Sequence, residues 1–264
     1  METEIRNIGI FSHVDAGKTS ITEQFLYHSA AIRSPGDVNK GTATTDSLSI
    51  EKERGVSVKS ADVSFLWKGK RINLIDSPGH PDFSAEVAHT MQAIDAAILI
   101  ISAVEGVQSH TYAIADALKK RRIPLVIFIN KTDRDGADTG KVLMEIHKEL
   151  GLKCFPLIIP SDDEEKNTRI IDILKEKEKQ NYKKWYLKGL EDMAEINDDI
   201  LDAYLYEKSL ADETIIKYLK KHTAKQEICP LIAGSSKYGI GITHLLNAII
   251  EYIPTSKANK NNLS

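Results

Sequence analysis

The sequence predicts an α/β fold with a doubly wound, mostly parallel sheet that carries an inserted α/β subdomain. Largely apolar segments of strand length alternate with stretches whose apolar residues recur at helical spacing, which is typical of a sheet covered on both faces. Polar and glycine-rich motifs follow several of the apolar segments, and ligands bind at the carboxyl ends of strands in such sheets. With 264 residues, the chain can form one large domain or one domain with an insertion.

The strands of the parallel sheet are predicted from short apolar runs. These runs lie at residues 5–11, 72–75, 97–101, 125–129 and 228–233. Before the second run, Val63, Phe65 and Trp67 alternate with other residues, and a Lys-Gly-Lys turn follows at residues 68–70. This pattern predicts an antiparallel hairpin, so the sheet is expected to be mixed.

Helices are predicted between the strands from apolar stripes at residues 114–118, 143–150 and 242–253. Residues 156–226 interrupt the alternation and are rich in charge, so we interpret them as an inserted subdomain. The charge run at residues 175–179 is more typical of a solvated helical face than of a nucleic-acid patch. The predicted division is a main domain of residues 1–155 and 227–254, the insert, and a polar linker or tail at 255–264.

Composition narrows the class of protein. The formal net charge of −3 and the pI near 6.3 argue against indiscriminate nucleic-acid binding. These overall values do not exclude a local basic patch. Cys154 and Cys229 are far apart and have no metal-ligand spacing, which indicates buried thiols in a reducing compartment. No secretory signal or membrane span is visible, so we expect a cytoplasmic protein without a membrane partner.

A phosphate-binding turn, S-H-V-D-A-G-K-T, follows the first strand at residues 12–19. The usual pattern begins with Gly, where this chain has Ser12, but a strand, a tight turn and a helix would still direct backbone N–H groups at a phosphate. The turn therefore predicts a P-loop NTPase, the alternative being an ordinary strand-turn-helix. Lys18 would reach the outer phosphates and Thr19 would bind Mg²⁺. The predicted nucleotide-binding residues here are His13, Val14, Asp15, Ala16, Gly17, Lys18, Thr19 and Ser20.

A second motif, D-S-P-G-H, follows the strand at residues 72–75. Asp76 is expected to hold Mg²⁺, through a water, and the N–H of Gly79 to contact a terminal phosphate. His80 could orient or activate an attacking water, and the sequence does not separate those roles. Together with Lys18 and Gly79, His80 is a candidate catalytic residue; the alternative is a structural histidine.

Residues 32–57 are predicted to form a switch loop. They combine Pro-Gly, Gly-Thr and Glu-Arg-Gly turns without apolar periodicity, and loops of this length are usually functional or disordered. Ser57 is the candidate hydroxyl that closes on the metal, beside Thr19 and Asp76. The alternative is a plain surface loop.

Base selection is predicted from N-K-T-D at residues 130–133. The Asp133 carboxylate can accept the ring N–H and the amino group of guanine, Lys131 can lie along the ring, and Asn130 can tie neighbouring loops together. Ser235, Ser236 and Lys237 follow the last strand, where a backbone N–H can meet the guanine oxygen. The site thus predicts Mg²⁺-dependent GTP hydrolysis; an ATP-dependent phosphotransferase and a GTP-regulated binding module are the alternatives.

The motifs at residues 13–19, 53–57, 76–80 and 130–134 together resemble the GTP-binding domain of translational GTPases, in the family's order. The resemblance is to elongation factor G and to the tetracycline-resistance ribosomal protection proteins. It implies a ribosome partner whose RNA acts on His80 and a monovalent cation near Asp15. We also expect the isolated domain to be monomeric. Ser57 and Ser12 differ from the family's usual Thr and Gly or Ala, but neither change removes a required group.

Within that family, T-D-S-L-S at residues 45–49 is nearer to the protection proteins, whereas residues 132–138 are similar to elongation factor G. We therefore favour a tetracycline protection protein, with a translocation GTPase as the alternative. Family members continue through several further domains, so the chain is interpreted as one domain of a longer protein.

Overall fold

The computed structural model describes residues 4–36, 61–77, 84–161, 169–176, 180–206 and 210–255. The strands are β1 (Ile5–Ser12), β2 (Ala61–Trp67), β3 (Lys70–Asp76), β4 (Ala96–Ser102), β5 (Leu125–Asn130), β6 (Cys154–Pro160), β7 (Ile170–Asp172) and β8 (Cys229–Ala233). The helices are α1 (Lys18–His28), α2 (Ser84–Ala93), α3 (Ser109–Lys120), α4 (Thr139–Glu145), α5 (Ile173–Glu176), α6 (Gln180–Ala194), α7 (Asp198–Leu205), α8 (Asp212–Ala224) and α9 (Ile242–Tyr252). A π-helical turn, Ile146–Leu150, continues α4.

One sheet of the described residues contains these strands in the order β2-β3-β1-β4-β5-β8-β6-β7. The inner pairings from β3 through β6 are parallel, whereas β2 and β7 run antiparallel to their neighbours at the two edges. The predicted α/β class, the mixed sheet and the β2–β3 hairpin are therefore confirmed.

The core lies on both faces of the sheet. Every residue of β4 and β5 is buried, as expected of central parallel strands. Along β4, Ile98 and Ile100 belong to a cluster with Phe25 of α1, whereas Leu99 and Ile101 belong to a second cluster with Leu118 of α3. Apolar side chains therefore cover both faces of the central strands. Polar loops lie instead at the carboxyl ends of these strands.

The sequence did not predict β6 and β7. Pro156 and Pro160 lie within β6, and proline argues against a sheet strand because it cannot donate a ladder hydrogen bond. The register of β6 against β8 shifts between Pro156 and Ile158, which accommodates the first proline. The first strand of the predicted insert thus lies in the main sheet, and the proposed division into domains stays a prediction.

Polar and apolar contacts both dock α6 against β6. The Asp192 carboxylate, almost fully buried, accepts a hydrogen bond from the Cys154 N–H at 2.6 Å and lies 2.9 Å from His147 Nε2. Gly189 lets the helix approach closely, because a Cβ there would lie 2.6 Å from the ring of Phe155. These contacts tie α6 to β6 of the sheet.

Both cysteines are core residues, as predicted. Cys154 and Cys229 are neighbours in the β6–β8 register and are buried. Burial raises the pKa of the Cys229 thiol to about 12, so this side chain stays a protonated, unreactive thiol at neutral pH. Among the helices that the structure describes, none is long and apolar enough to cross a membrane.

Candidate nucleotide site

The described parts of the predicted motifs that follow β1, β3, β5 and β8 meet at one edge of the sheet. Adjacent strands β3, β1, β4, β5 and β8 each end there. We call residues 12–19 the phosphate loop, residues 103–108 the β4–α3 loop, residues 130–134 the base loop and residues 234–237 the serine loop. Because the strands are parallel neighbours, the loops that follow them lie side by side.

The phosphate loop ends in a helix N-terminus suited to an anion. Gly17 is the N-cap of α1 in the left-handed region, with φ 97°, and no side chain caps the helix. A Cβ at Gly17 would lie 2.3 Å from Asn130 Nδ2, so both the space and the backbone require glycine. The first turn of α1 carries no acidic residue that would compete with an anion for the positive end of the helix dipole.

Lys18 and Asp76 form a buried ion pair between Nζ and Oδ1. The two side chains are 6% and 2% exposed, so their attraction is little screened by water. Ser77 Oγ donates a hydrogen bond of 2.9 Å to the carbonyl of Ile10 in β1, which fixes the start of the second motif beside the phosphate loop. Gly79, His80 and Ser57 lie outside the described residues, as does most of the predicted switch loop.

His13 connects the phosphate loop to α3. Its buried ring places Nδ1 3.4 Å from Thr111 Oγ1 in the first turn of that helix. Burial lowers the pKa of the imidazole, an effect that the nearby Glu105 carboxylate partly opposes. A neutral ring at pH 7 follows, so His13 adds no charge to the phosphate loop.

Asn130 joins three of the loops through its side-chain amide. Nδ2 donates to the carbonyl of Ala16 at 2.7 Å and to Ser236 Oγ at 3.1 Å, and Oδ1 accepts from the Ser236 N–H at 2.9 Å. The side chain is fully buried, so these bonds are made without competition from water. A further backbone bond of 3.2 Å runs from the Thr132 N–H to the Gly234 carbonyl.

The remaining residues of the base and serine loops differ in exposure. Asp133 is half-buried, Ser235 and Ser236 are buried, and Lys237 is exposed with Nζ 4.9 Å from the ring centre of Tyr238. The ammonium of Lys131 lies 3.1 and 3.4 Å from the two carboxylate oxygens of Glu105. No role was predicted for Glu105 or Thr111, since neither belongs to a phosphate or base motif.

Replacing Asn130 by alanine should weaken both the site and the fold. The change leaves the buried N–H of Ser236 without its acceptor, and one such buried group costs about 1–3 kcal/mol. We therefore expect a lower free energy of unfolding by about that amount and at least about tenfold weaker GDP binding. Urea unfolding and equilibrium GDP binding measure the two effects.

Asn73→Ala is the matched control for Asn130→Ala. Asn73 Nδ2 donates to Asn7 Oδ1 at 2.8 Å between β3 and β1, in a part-buried position away from the loops. The Asn73→Ala substitution should leave GDP binding unchanged. An Asn130→Ala variant with the wild-type GDP affinity would show that the amide does not organise the site.

A sequence profile described as the elongation factor Tu GTP binding domain matches residues 3–255. The chain belongs to this family. The predicted membership in the translational GTPases is thereby confirmed, and the chain contains a GTP-binding domain.

Relatives of this GTP-binding domain include both kinds of protein that the motifs resembled. Tetracycline resistance protein TetP of Clostridium perfringens is 39% identical over 262 residues, which are 95% of this chain and 38% of TetP. Elongation factor G of Thermotoga neapolitana is 36% identical over 272 residues, 96% of this chain and 39% of the relative. Elongation factor G 1 of Treponema denticola is 33% identical over 275 residues, which cover 96% of this chain and 40% of the relative.

A solved structure has the same fold. The crystal structure of ttk003000868 from Thermus thermophilus matches with a TM-score of 0.86 and 26% identity, over 96% of this chain and 40% of that chain. The GTP-binding domain thus spans about two-fifths of the length of the proteins it matches.

The family implies GTP or GDP with Mg²⁺, and the donor set of this GTP-binding domain fits the metal. Thr19 offers a hydroxyl in the first turn of α1, and Asp76 offers a carboxylate at the end of β3. Mg²⁺ prefers such oxygen ligands and is usually bound by few protein groups together with phosphates and waters.

Proposed function

We propose that this GTP-binding domain hydrolyses GTP to GDP and phosphate with Mg²⁺, and that the ribosome accelerates the reaction. The observation that carries the proposal is the Asn130 network, which fixes the phosphate, base and serine loops to one another. Catalysis of phosphoryl transfer depends mainly on positioning and on electrostatic stabilisation, so a pre-set arrangement of these loops supports it.

Each residue has a role in this proposal. Lys18, which pairs with Asp76 in the structure, contacts the outer phosphate oxygens when the nucleotide binds. Thr19, Ser57 and, through a water, Asp76 would hold Mg²⁺, which would neutralise the charge that develops on the phosphates. The Gly79 N–H binds the terminal phosphate, and His80 positions or deprotonates the water that attacks its phosphorus as the bond to the bridging oxygen breaks.

Other predicted contacts complete the proposed site. Asp133 accepts the guanine N–H groups, and a backbone N–H of the serine loop, at Ser235, Ser236 or Lys237, donates to the guanine oxygen. Asp15, an exposed residue with φ 62°, is proposed to help hold a monovalent cation beside the phosphates. We further propose a cytoplasmic, monomeric domain that contacts ribosomal RNA near His80.

For the whole protein, we propose protection of ribosomes from tetracycline. The 39% identity to TetP and the T-D-S-L-S segment support it. A translocation GTPase is the second candidate, favoured by the 36% identity to an elongation factor G and by residues 132–138. Translation by ribosomes in the presence of tetracycline, with and without a chain of the relatives' length, separates the two: protection requires rescue of synthesis, whereas a translocase supports elongation without the drug.

Steady-state GTP turnover with and without ribosomes tests the activity. We expect slow turnover alone and much faster turnover with ribosomes, because His80 is proposed to act on the attacking water only when an external partner places it there. A chain of the relatives' length serves as the control for weak ribosome binding by a single domain. Equal rates for that longer chain with and without ribosomes would contradict the proposal.

A further inference from the structure

The β4–α3 loop contacts the base loop, and the first turn of α3 that follows it contacts the phosphate loop. The Ala103 N–H donates to the carbonyl of Asn130 at 2.8 Å, and the Glu105 carboxylate pairs with Lys131 in the base loop. Just beyond the loop, Thr111 lies against His13 of the phosphate loop. The loop is therefore placed to influence how the nucleotide is held, although it carries no phosphate or base motif.

Hydrogen bonds on both sides of Glu105 fix the backbone of the β4–α3 loop. Ser102 Oγ accepts hydrogen bonds from the N–H groups of Val104 at 3.2 Å and Glu105 at 3.3 Å. On the other side, Glu145 of α4 accepts from the Val107 N–H at 3.0 Å. Gly106 has φ 66°, and a Cβ there would lie 2.1 Å from the Glu145 carboxylate, so the loop and α4 are closely packed. This arrangement holds the backbone at Glu105 at a defined place beside the base loop.

Lys131 carries a backbone constraint of its own. Its φ of 64° lies in the left-handed region, which a lysine adopts only where its surroundings enforce it. Both Glu105 oxygens lie within 3.4 Å of its ammonium, and its side chain is 18% exposed. Backbone and ammonium are thus both fixed, so the methylene stem between them has few conformations left.

We propose that Glu105 is a positioning residue for the guanine nucleotide. By holding the ammonium of Lys131, it sets the lysine stem in advance along the face of the purine, so less side-chain entropy is lost when the base binds. The inference rests on the proposed guanine-nucleotide site and adds a residue to it. Since the stem meets the base and not the phosphates, GTP and GDP should be affected equally.

Equilibrium binding of GDP and GTP to Glu105→Ala, Lys131→Ala and the double variant tests the proposal. Glu105→Ala should weaken binding of both nucleotides about two- to fivefold, the range expected for a partly exposed ion pair. In the Lys131→Ala background, the same substitution should have little effect, since its partner is gone. The loss should shrink at high salt, and urea unfolding without nucleotide should change little.

Asp116→Ala is the matched control. Asp116 pairs with Lys120 at 2.7 Å on α3 and is 41% exposed, compared with 42% for Glu105. It should not alter nucleotide binding. Wild-type affinity in Glu105→Ala, or a full additional loss on top of Lys131→Ala, would overturn the positioning role while leaving the GTP site intact. A wild-type protein that binds no guanine nucleotide would instead refute the proposed function.

Discussion

Replacing Asp133 by asparagine should change the base preference from guanine to xanthine. The carboxylate accepts the ring N–H and the amino group of guanine, whereas the asparagine amide would direct an N–H at one of these donors. Xanthine carries an oxygen in place of the amino group and so accepts that N–H. A site built to pair a polar group discriminates strongly against the wrong partner, so GDP affinity should fall at least about a hundredfold.

The base loop that carries Asp133 is held in place, which is why a large effect is expected. The Thr132 N–H donates to the Gly234 carbonyl, and the Arg134 N–H donates to the Lys131 carbonyl. The carboxylate therefore cannot easily move away to relieve an unfavourable contact. Equilibrium binding of GDP, xanthosine diphosphate and ADP to both proteins measures the change.

Asp135→Asn provides the control, because Asp135 is an exposed carboxylate just past the base loop. It should bind GDP as the wild type does. Equal affinity of the wild-type protein for ATP and GTP would contradict the guanine assignment and would favour the ATP-dependent phosphotransferase.

Replacing His80 by alanine should slow GTP hydrolysis without weakening GTP binding. A residue that orients or deprotonates the attacking water typically contributes about 10²–10⁴-fold to the rate. His80 follows Asp76 and Ser77, which are anchored beside Lys18 and β1, so the motif begins next to the proposed phosphate position. Turnover with ribosomes and equilibrium GTP binding should be measured on the same preparation.

His89→Ala is a suitable control because His89 is an exposed histidine of α2 in the same part of the chain. It should hydrolyse GTP at the wild-type rate. Unchanged turnover in His80→Ala would favour the alternative of a GTP-regulated binding module in which this histidine is structural.

Much of the fold was predictable because central parallel strands are apolar runs. The predicted strand at residues 125–129 corresponds to β5, Leu125–Asn130, and the predicted strand at 97–101 corresponds to β4, Ala96–Ser102. β6 was missed because its prolines oppose the strand pattern, and only the register shift against β8 shows how the sheet accommodates them.

The site was predictable to the extent that its residues follow strand ends. Parallel topology brings the motifs of β1, β3, β5 and β8 to one edge, so their convergence could be expected. The ion pairs and hydrogen bonds that join one loop to another could not be predicted. Glu105 and Lys131 are 26 residues apart, and no sequence pattern gives the distance between two loops or the direction of two flexible side chains. Asn130 was expected to tie loops together, but the sequence does not identify Ala16 and Ser236 as its hydrogen-bond partners.

The position of β8 between β5 and β6 determines how the domain can be shortened. Excision of residues 156–226 would remove most of β6 and leave β8 as an edge strand. All residues of β8 are buried, so the cut would expose an apolar strand with unpaired N–H and carbonyl groups, the kind of edge at which chains aggregate. A minimal GTPase engineered from this chain would therefore need to keep β6, or to replace it with a segment that carries charge on its outer side.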